Sequence, residues 1–107
     1  MSEGRKDDGG KLRFDLLPPD ALRELVRVYT EGAAKYGEYN WSKGIAFSRI
    51  FAALMRHCWA WFLGEENDPD DGLPHMAHAA WNCMTLVAFS KRGMAHLDDR
   101  PVITKAE

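Results

Sequence analysis

The sequence has little cysteine, no long apolar run and no excess of positive charge. Its two cysteines, Cys58 and Cys83, fall in different predicted helices, and with no signal-peptide pattern we expect free thiols in a cytoplasm. No stretch is long and apolar enough for a membrane span, so no membrane partner is expected. Fourteen basic and sixteen acidic residues give a net charge of −2. Because the basic residues are scattered, binding to duplex nucleic acid is also not expected.

Apolar residues at helical spacing are abundant and predict an all-α protein, a small helical bundle of one domain. Three helices are expected near residues 20–36, 46–64 and 74–92, the second and third forming a central antiparallel hairpin across the short link "EENDPDDGL". Asp20 is the expected N-cap of the first helix, and Gly37 its end. The predicted inner face of the first helix comprises Leu22, Leu25, Val26, Tyr29, Ala33 and Tyr36.

The two ends of the chain lack a sustained helical period. Residues 1–10, "MSEGRKDDGG", are polar and rich in glycine, which predicts a disordered segment. The following "KLRFDLLPPD" alternates polar and apolar residues before two prolines, and predicts an extended arm laid over the core. We therefore expect a helical domain over residues 11–93 and a C-terminal tail over residues 94–107.

Two histidines and an asparagine interrupt the apolar face of the third predicted helix, in "GLPHMAHAAWN". At about 100° per residue, His75, His78 and Asn82 share one stripe, and Pro74 suits the first turn. The second helix points His57 inward in the same way. His57 precedes the link by about as many residues as His78 follows it, so a simple hairpin makes them neighbours.

A core role and a ligand role both remain open for these histidines. A single inward histidine is more often a core residue that hydrogen-bonds a carbonyl. A cluster is harder to explain this way, because each buried polar group left unpaired costs ~1–3 kcal/mol. The helix N-terminus at the same place favours an anion. If the second helix continues past Gly64, Glu65 and Asp68 also lie close to this face.

The tryptophans predict a homo-oligomer, a dimer or a tetramer. Trp59 and Trp61 lie about 200° apart on a helix and cannot face the same neighbour. A chain this short cannot cover aromatic side chains on both sides of a helix by itself. We expect subunit contacts that include at least one of Trp59, Trp61 and Trp81.

The loop after the first helix allows two interpretations. Tyr36, Tyr39 and Trp41, beside Asn40, either plug the end of the bundle or offer flat faces to a base, worth ~1–3 kcal/mol per stacked base. Similarly, Arg49 and Arg56, one heptad apart on the second helix, either contact phosphates or are ordinary surface charge.

Several blocks of the chain resemble a known family. "GKLRFDLLPPDAL", "GAAKYGEYNW" and "ALMRHCWAWFLGEENDPDDGLPHMAHAAWN" look like those of the N-terminal domain of phage-type dATP/dGTP diphosphohydrolases, which are similar to the all-α MazG-like nucleoside-triphosphate pyrophosphatases. The resemblance implies an all-α core, oligomeric assembly, and Mg²⁺-dependent hydrolysis of a purine deoxynucleoside triphosphate to its monophosphate and pyrophosphate.

This chain departs from the carboxylate pattern of the MazG-like enzymes, which supply E-x-x-E and E-x-x-D helices. Only Glu65 to Asp68 matches E-x-x-D, and no E-x-x-E lies on an inward helical face. His75 and His78 stand where acidic ligands are expected. Mg²⁺ prefers oxygen ligands, whereas imidazoles suit Mn²⁺, Fe²⁺, Ni²⁺ or Zn²⁺.

Three functions follow, and an enzyme is the favoured one. As a purine nucleotide phosphohydrolase in a host cytoplasm, the protein would use Mg²⁺ or Mn²⁺, with other transition metals possible. Alternatively, it binds a nucleotide without cleaving it, as a phage protein that sequesters a nucleotide second messenger would, or it is a structural protein with core histidines. The expected metal ligands are His57, His75, His78, Glu65 and Asp68, and the expected catalytic residues are Glu65, Asp68 and His57. The expected substrate contacts are Lys11, Arg13, Lys35, Tyr36, Asn40, Trp41, Arg49, Arg56 and Asn82.

Overall fold

The computed structural model describes residues 4–102 as an all-α protein. Within this range it has three α-helices, which we name α1 (Pro19–Tyr36), α2 (Phe47–Phe62) and α3 (His75–Lys91). Three single turns of 3-10 helix cover Phe14–Leu16, Asn40–Lys43 and Ala95–Leu97. Residues 4–102 contain no strand, and Asn67 and Pro74 form one isolated antiparallel bridge. The predicted all-α class is confirmed, and each helix end lies within two residues of its expected position.

Proline, rather than aspartate, starts α1, so the prediction of an Asp20 cap was wrong. Pro18 is the N-cap and Pro19 the first helical residue. Proline suits that position because its fixed φ matches the helix and its missing N–H has no partner there in any case. Pro74 is likewise the N-cap of α3 rather than part of its first turn. Gly37 ends α1 as expected, with a φ of 98° that favours glycine.

The middle layer of the fold is α3, which packs against both α1 and α2. Val28 of α1, Leu73 of the link and Ala77 of α3 form a buried cluster, and Trp81 packs against it. At the other end of α3, the fully buried Phe89 contacts the rings of Trp41 and Phe47. These two groups of contacts fix α3 at both ends.

The buried face of α1 is narrower than its periodicity predicts. Leu25 and Val28 are buried, whereas Leu22, Val26 and Tyr36 are exposed. The contact of α1 with α3 covers only one side of the predicted apolar stripe. Placing Leu22, Val26 and Tyr36 in the core was therefore wrong for the single chain.

The segment before α1 does not cover the core, and that prediction was also wrong. Leu12, Phe14 and Leu16 are 82%, 74% and 69% exposed, and the single 3-10 turn here has no buried residue. The segment after α3 does pack back: the Asp99 carboxylate accepts hydrogen bonds from the N–H and hydroxyl of Ser48, at the start of α2. Residues 1–3 and 103–107, parts of the predicted disordered segment and tail, lie outside the described residues.

Large apolar side chains remain exposed on the outer sides of α2 and α3. Trp59 and Phe62 contact each other at the surface of α2, and Met84 and Val87 are exposed on α3. Trp61 is exposed too, so neither Trp59 nor Trp61 is buried within the chain. None of the helices between residues 4 and 102 is both long and apolar enough to cross a membrane.

Candidate functional site

Five of the predicted site residues meet where α2, the link and α3 come together. Leu73 is fully buried and anchors the link, and its carbonyl accepts a hydrogen bond from the N–H of Asp68 at 2.8 Å. The first N–H of α3, that of His75, donates to the carbonyl of Glu66 at 2.9 Å. The link is thus tied to the start of α3. The five residues in this region are His57, Glu65, Asp68, His75 and His78.

His57 contacts both of the other histidines directly. The Nδ1 atoms of His57 and His75 lie 2.9 Å apart. The rings of His57 and His78 are stacked, with centroids 4.6 Å apart and planes 7° from parallel. His75 is 5% exposed, while the other two are half-buried. The structure therefore gathers the histidines of two helices into one polar group.

Carboxylates of the link reach the two histidines of α3. Glu65 Oε1 lies 2.7 Å from His75 Nε2, and Asp71 Oδ2 lies 2.8 Å from His78 Nε2. The helix does not continue past Gly64, because α2 ends at Phe62. Glu65 and Asp68 come close to the histidines through the folded link instead.

Burial lowers the pKa of the His57 imidazole, and the adjacent His78 and His75 lower it further. The charge of Arg56 acts in the same direction, whereas that of Asp68 raises the pKa and opposes these effects. Since the ordinary histidine pKa is about 6.5, His57 is neutral at neutral pH. A neutral imidazole keeps a lone pair that can bind a cation.

Two groups of side chains in the described part of the chain are arranged so that each could hold a metal ion. The first comprises His57, Asp68 and His75, and the second comprises Asp68, Asp71 and His78. Within each group the possible ligand atoms lie within 4.8 Å of one another. Asp68 belongs to both. Imidazole nitrogens combined with a carboxylate suit Mn²⁺, Fe²⁺ or Zn²⁺ better than Mg²⁺.

Asp71, which contacts His78, is absent from the residues predicted for the site, whereas Glu65 lies beside His75 as expected. The acidic run "DPDDG" is visible in the sequence, but a loop has no period that tells which carboxylate points inward. Glu65 belongs to neither of the two groups that could hold a metal ion, although its Oε1 contacts Nε2 of His75.

Asn82 is buried but uses its amide within α3. It is 4% exposed, and its Nδ2 donates to the backbone carbonyl of His78 at 2.8 Å. This bond spans one turn of the same helix and supports the turn that carries His78. Asn82 thus contacts the backbone of His78 within the same helix. Its expected role in substrate binding stays a prediction.

In the loop after α1, Trp41 packs into the bundle, whereas Tyr39 and Tyr36, the last residue of α1, do not. The Trp41 ring contacts Tyr29 and Phe89, and the Arg92 guanidinium lies 4.8 Å from its centre. These contacts favour the plug interpretation for Trp41. Tyr36 and Tyr39 are exposed, and Asn40 begins the 3-10 turn beside Trp41.

The basic residues expected to contact phosphates lie in different places. Arg49 and Arg56 are exposed on α2, and Arg56 is close enough to influence the pKa of His57. Arg13 pairs with Asp15 at 2.7 Å on the exposed segment before α1, which also carries Lys11. Lys35 lies over the Tyr36 ring at 5.2 Å. In residues 4–102, no hydrogen bond or ion pair joins Lys11, Arg13 or Lys35 to the histidines.

Comparison with known proteins relates nearly the whole chain to one family. The profile of the family described as "dATP/dGTP diphosphohydrolase, N-terminal" matches residues 1–100. A protein of Salmonella phage PMBT28 named dATP/dGTP diphosphohydrolase is 37% identical over 81 residues, which are 76% of this chain and 28% of that protein. The chain thus spans less than a third of the length of this relative. No solved structure matches the chain.

Proposed function

The chain belongs to the family of dATP/dGTP diphosphohydrolase N-terminal domains, and we propose that it acts in the metal-dependent hydrolysis of a purine deoxynucleoside triphosphate. The products would be the nucleoside monophosphate and pyrophosphate. The observation that carries the proposal is the convergence of His57, Asp68 and His75 at the junction of α2 and α3. A divalent cation at such a group would neutralise phosphate charge and activate water.

Each residue at the junction has a distinct task in this proposal. His57, His75 and Asp68 hold the cation, and the low pKa of His57 keeps its imidazole neutral for this purpose. His78 stacks on His57 and, with Asp71, offers a second set of donors around the shared Asp68. Arg56, on the flank of α2 next to His57, supplies positive charge for a phosphate.

Of the two cations expected from the sequence, Mn²⁺ fits this donor set better than Mg²⁺. Two imidazoles and one carboxylate are poor ligands for the hard Mg²⁺, which prefers oxygen and retains several waters. Family membership by itself does not decide between them. We propose Mn²⁺ as the more effective cofactor, with Fe²⁺, Ni²⁺ and Zn²⁺ as further candidates.

We further propose an antiparallel arrangement of α2 and α3 and a homo-oligomer. His57, near the end of α2, contacts His75 at the start of α3, and Phe47, at the start of α2, stacks on Phe89 near the end of α3. The exposed apolar side chains of both helices support subunit contacts. Since the relative is a phage protein, we propose that the protein works in the host cytoplasm.

A second candidate function is nucleotide binding without cleavage. One fact favours it: the carboxylates near the histidines, Asp68 and Asp71, lie in a link rather than in a pair of acidic helices. A helical scaffold that grips a nucleotide through a cation would retain the histidine group and release no product.

Incubation of the purified protein with each of the four deoxynucleoside triphosphates, with Mg²⁺ or Mn²⁺, tests these functions. We expect monophosphate and pyrophosphate from dATP or dGTP with Mn²⁺, detected by anion-exchange chromatography and ³¹P NMR. Stoichiometric binding in calorimetry without product would support the binding function instead. If protein that does bind Mn²⁺ binds none of the four deoxynucleoside triphosphates, the hydrolase function is wrong and any nucleotide that the protein binds is of another class.

A further inference from the structure

His75 is the most buried histidine of the site, and both of its ring nitrogens have a neighbour. Nε2 lies 2.7 Å from Glu65 Oε1, and Nδ1 lies 2.9 Å from His57 Nδ1. A neutral imidazole carries one hydrogen and one lone pair, so the two neighbours determine which nitrogen holds which. The position of that hydrogen decides which atom of His75 can bind a cation.

The Glu65 contact assigns the hydrogen to Nε2. An ionised carboxylate only accepts hydrogen bonds, so the nitrogen that faces it at 2.7 Å has to donate. The lone pair of His75 is then on Nδ1, the atom that faces His57 and the first metal-binding group. Glu65 itself lies outside both groups and is about half exposed, which leaves it the role of a support.

We propose that Glu65 is a positioning residue that holds His75 in the Nε2–H form, so that Nδ1 is its cation-binding atom. This arrangement follows the general rule that a histidine ligand donates its outer N–H to a carboxylate. The backbone N–H of His75 donates to the carbonyl of Glu66, so the same segment of the link also fixes the start of its helix. The importance of this tautomer for catalysis rests on the proposed metal-dependent function, whereas the tautomer itself is independent of that function.

Long-range ¹H–¹⁵N NMR of the ¹⁵N-labelled full chain at pH 8, without added metal, measures the tautomer directly. We expect the wild-type His75 ring to show a protonated Nε2 and an unprotonated Nδ1. In Glu65→Gln the amide can accept or donate, so we expect a mixture of both tautomers. Glu66→Gln is the matched control, since it removes the same charge one residue away, and it should leave the His75 pattern unchanged.

Mn²⁺ binding, measured by calorimetry on the same proteins, tests the consequence for the site. Loss of an outer support of this kind typically lowers metal affinity about 10- to 100-fold. We expect a decrease of that order for Glu65→Gln and almost none for Glu66→Gln. Because Glu65 is about half exposed, the variant should keep the wild-type melting temperature, which separates this effect from unfolding.

The proposal is overturned if wild-type His75 carries its hydrogen on Nδ1, or if Glu65→Gln changes neither the tautomer nor Mn²⁺ affinity. Its failure is distinguishable from failure of the proposed function. A protein with the expected tautomer and Mn²⁺ affinity that cleaves no nucleotide contradicts the hydrolase function and supports the role of Glu65. Cleavage with Mn²⁺ that Glu65→Gln leaves unchanged contradicts the role of Glu65 alone.

Discussion

The imidazole rings of His57 and His78 lie face to face, with centroids 4.6 Å apart and planes 7° from parallel. This contact joins α2 to α3 at the end where the link connects them. The neighbouring imidazole of His78 is also one of the causes that lower the pKa of His57. Burial is the largest cause of this lowered pKa and the charge of His78 adds to it, so a change at His78 is expected to affect the histidine group.

Replacement of His78 with alanine should weaken Mn²⁺ and nucleotide binding strongly and leave the helical circular dichroism signal nearly unchanged. The His78 side chain is 17% exposed, and its ring contacts the Asp71 carboxylate and the His57 ring. His96→Ala, at an exposed histidine outside the site, is the control. If His78→Ala mainly lowers the melting temperature and leaves ligand affinity intact, the histidine is a core residue and the site assignment is wrong.

Asp68→Asn should reduce Mn²⁺ affinity more than any other single carboxylate change in the link. Asp68 is the one residue that both metal-binding groups share in the described part of the chain. The decrease should exceed the roughly 10- to 100-fold loss typical of an outer support. Asp70→Asn removes the same charge two residues away and is the control, because Asp70 belongs to neither group. Equal affinities of the two variants in calorimetry would exclude Asp68 as a ligand.

Periodicity predicted the helices and the approach of His57 to His78, because helical spacing fixes which residues share a face. The link and the loop after α1 have no such period. Asp71 could not be distinguished from Asp70 in the sequence, and the inward position of Trp41 depends on contacts with Tyr29 and Phe89 that only the fold provides. The error at Asp20 has a local cause, since two consecutive prolines determined the start of α1.

Phe89→Ala should lower the free energy of unfolding by about 3–5 kcal/mol, the usual cost of removing a buried phenylalanine ring. Phe89 is fully buried and contacts both Trp41 and Phe47, so the loop and the start of α2 would lose a shared partner. Urea denaturation measures the change. Val102→Ala, at a residue that is 96% exposed, should alter stability by less than about 0.5 kcal/mol. A similar small effect at Phe89 would contradict the packing described for this end of α3.

Asp99→Asn should lower stability at neutral pH, by an amount that shrinks in acid. Hydrogen bonds from the Ser48 hydroxyl and N–H lower the pKa of Asp99 below its ordinary value of 3.8. A lowered carboxyl pKa stabilises the fold fully above 3.8, and this contribution disappears as the pH falls through the lowered value.

Urea midpoints of wild type and Asp99→Asn at a series of pH values from 7 to 2 measure this effect. The two curves should converge at the acid end. Asp8→Asn, in the exposed segment before α1, is the control and should follow wild type throughout. A constant difference between wild type and Asp99→Asn across the whole range would exclude the contact with Ser48 as its cause.

The outer side of α3 should be a subunit contact, so that a double substitution there yields monomers. Apolar residues lie all around α3, which is typical of a helix buried on every side, yet Met84 and Val87 are exposed, the latter by 59%.

Light scattering of the wild type at micromolar concentration should give a mass of at least twice the 12.1 kDa of one chain. Combined Met84→Glu and Val87→Glu should reduce that mass to one chain and retain the helical signal, because both side chains point away from the packed core. Val102→Glu adds a charge at an exposed apolar residue outside the helices and should leave the oligomer intact. A wild-type protein that is already monomeric would contradict the proposed assembly. An oligomer that survives the double substitution would exclude this face of α3 as the subunit contact. Trp59 and Phe62 on α2 would then be the next surface to test.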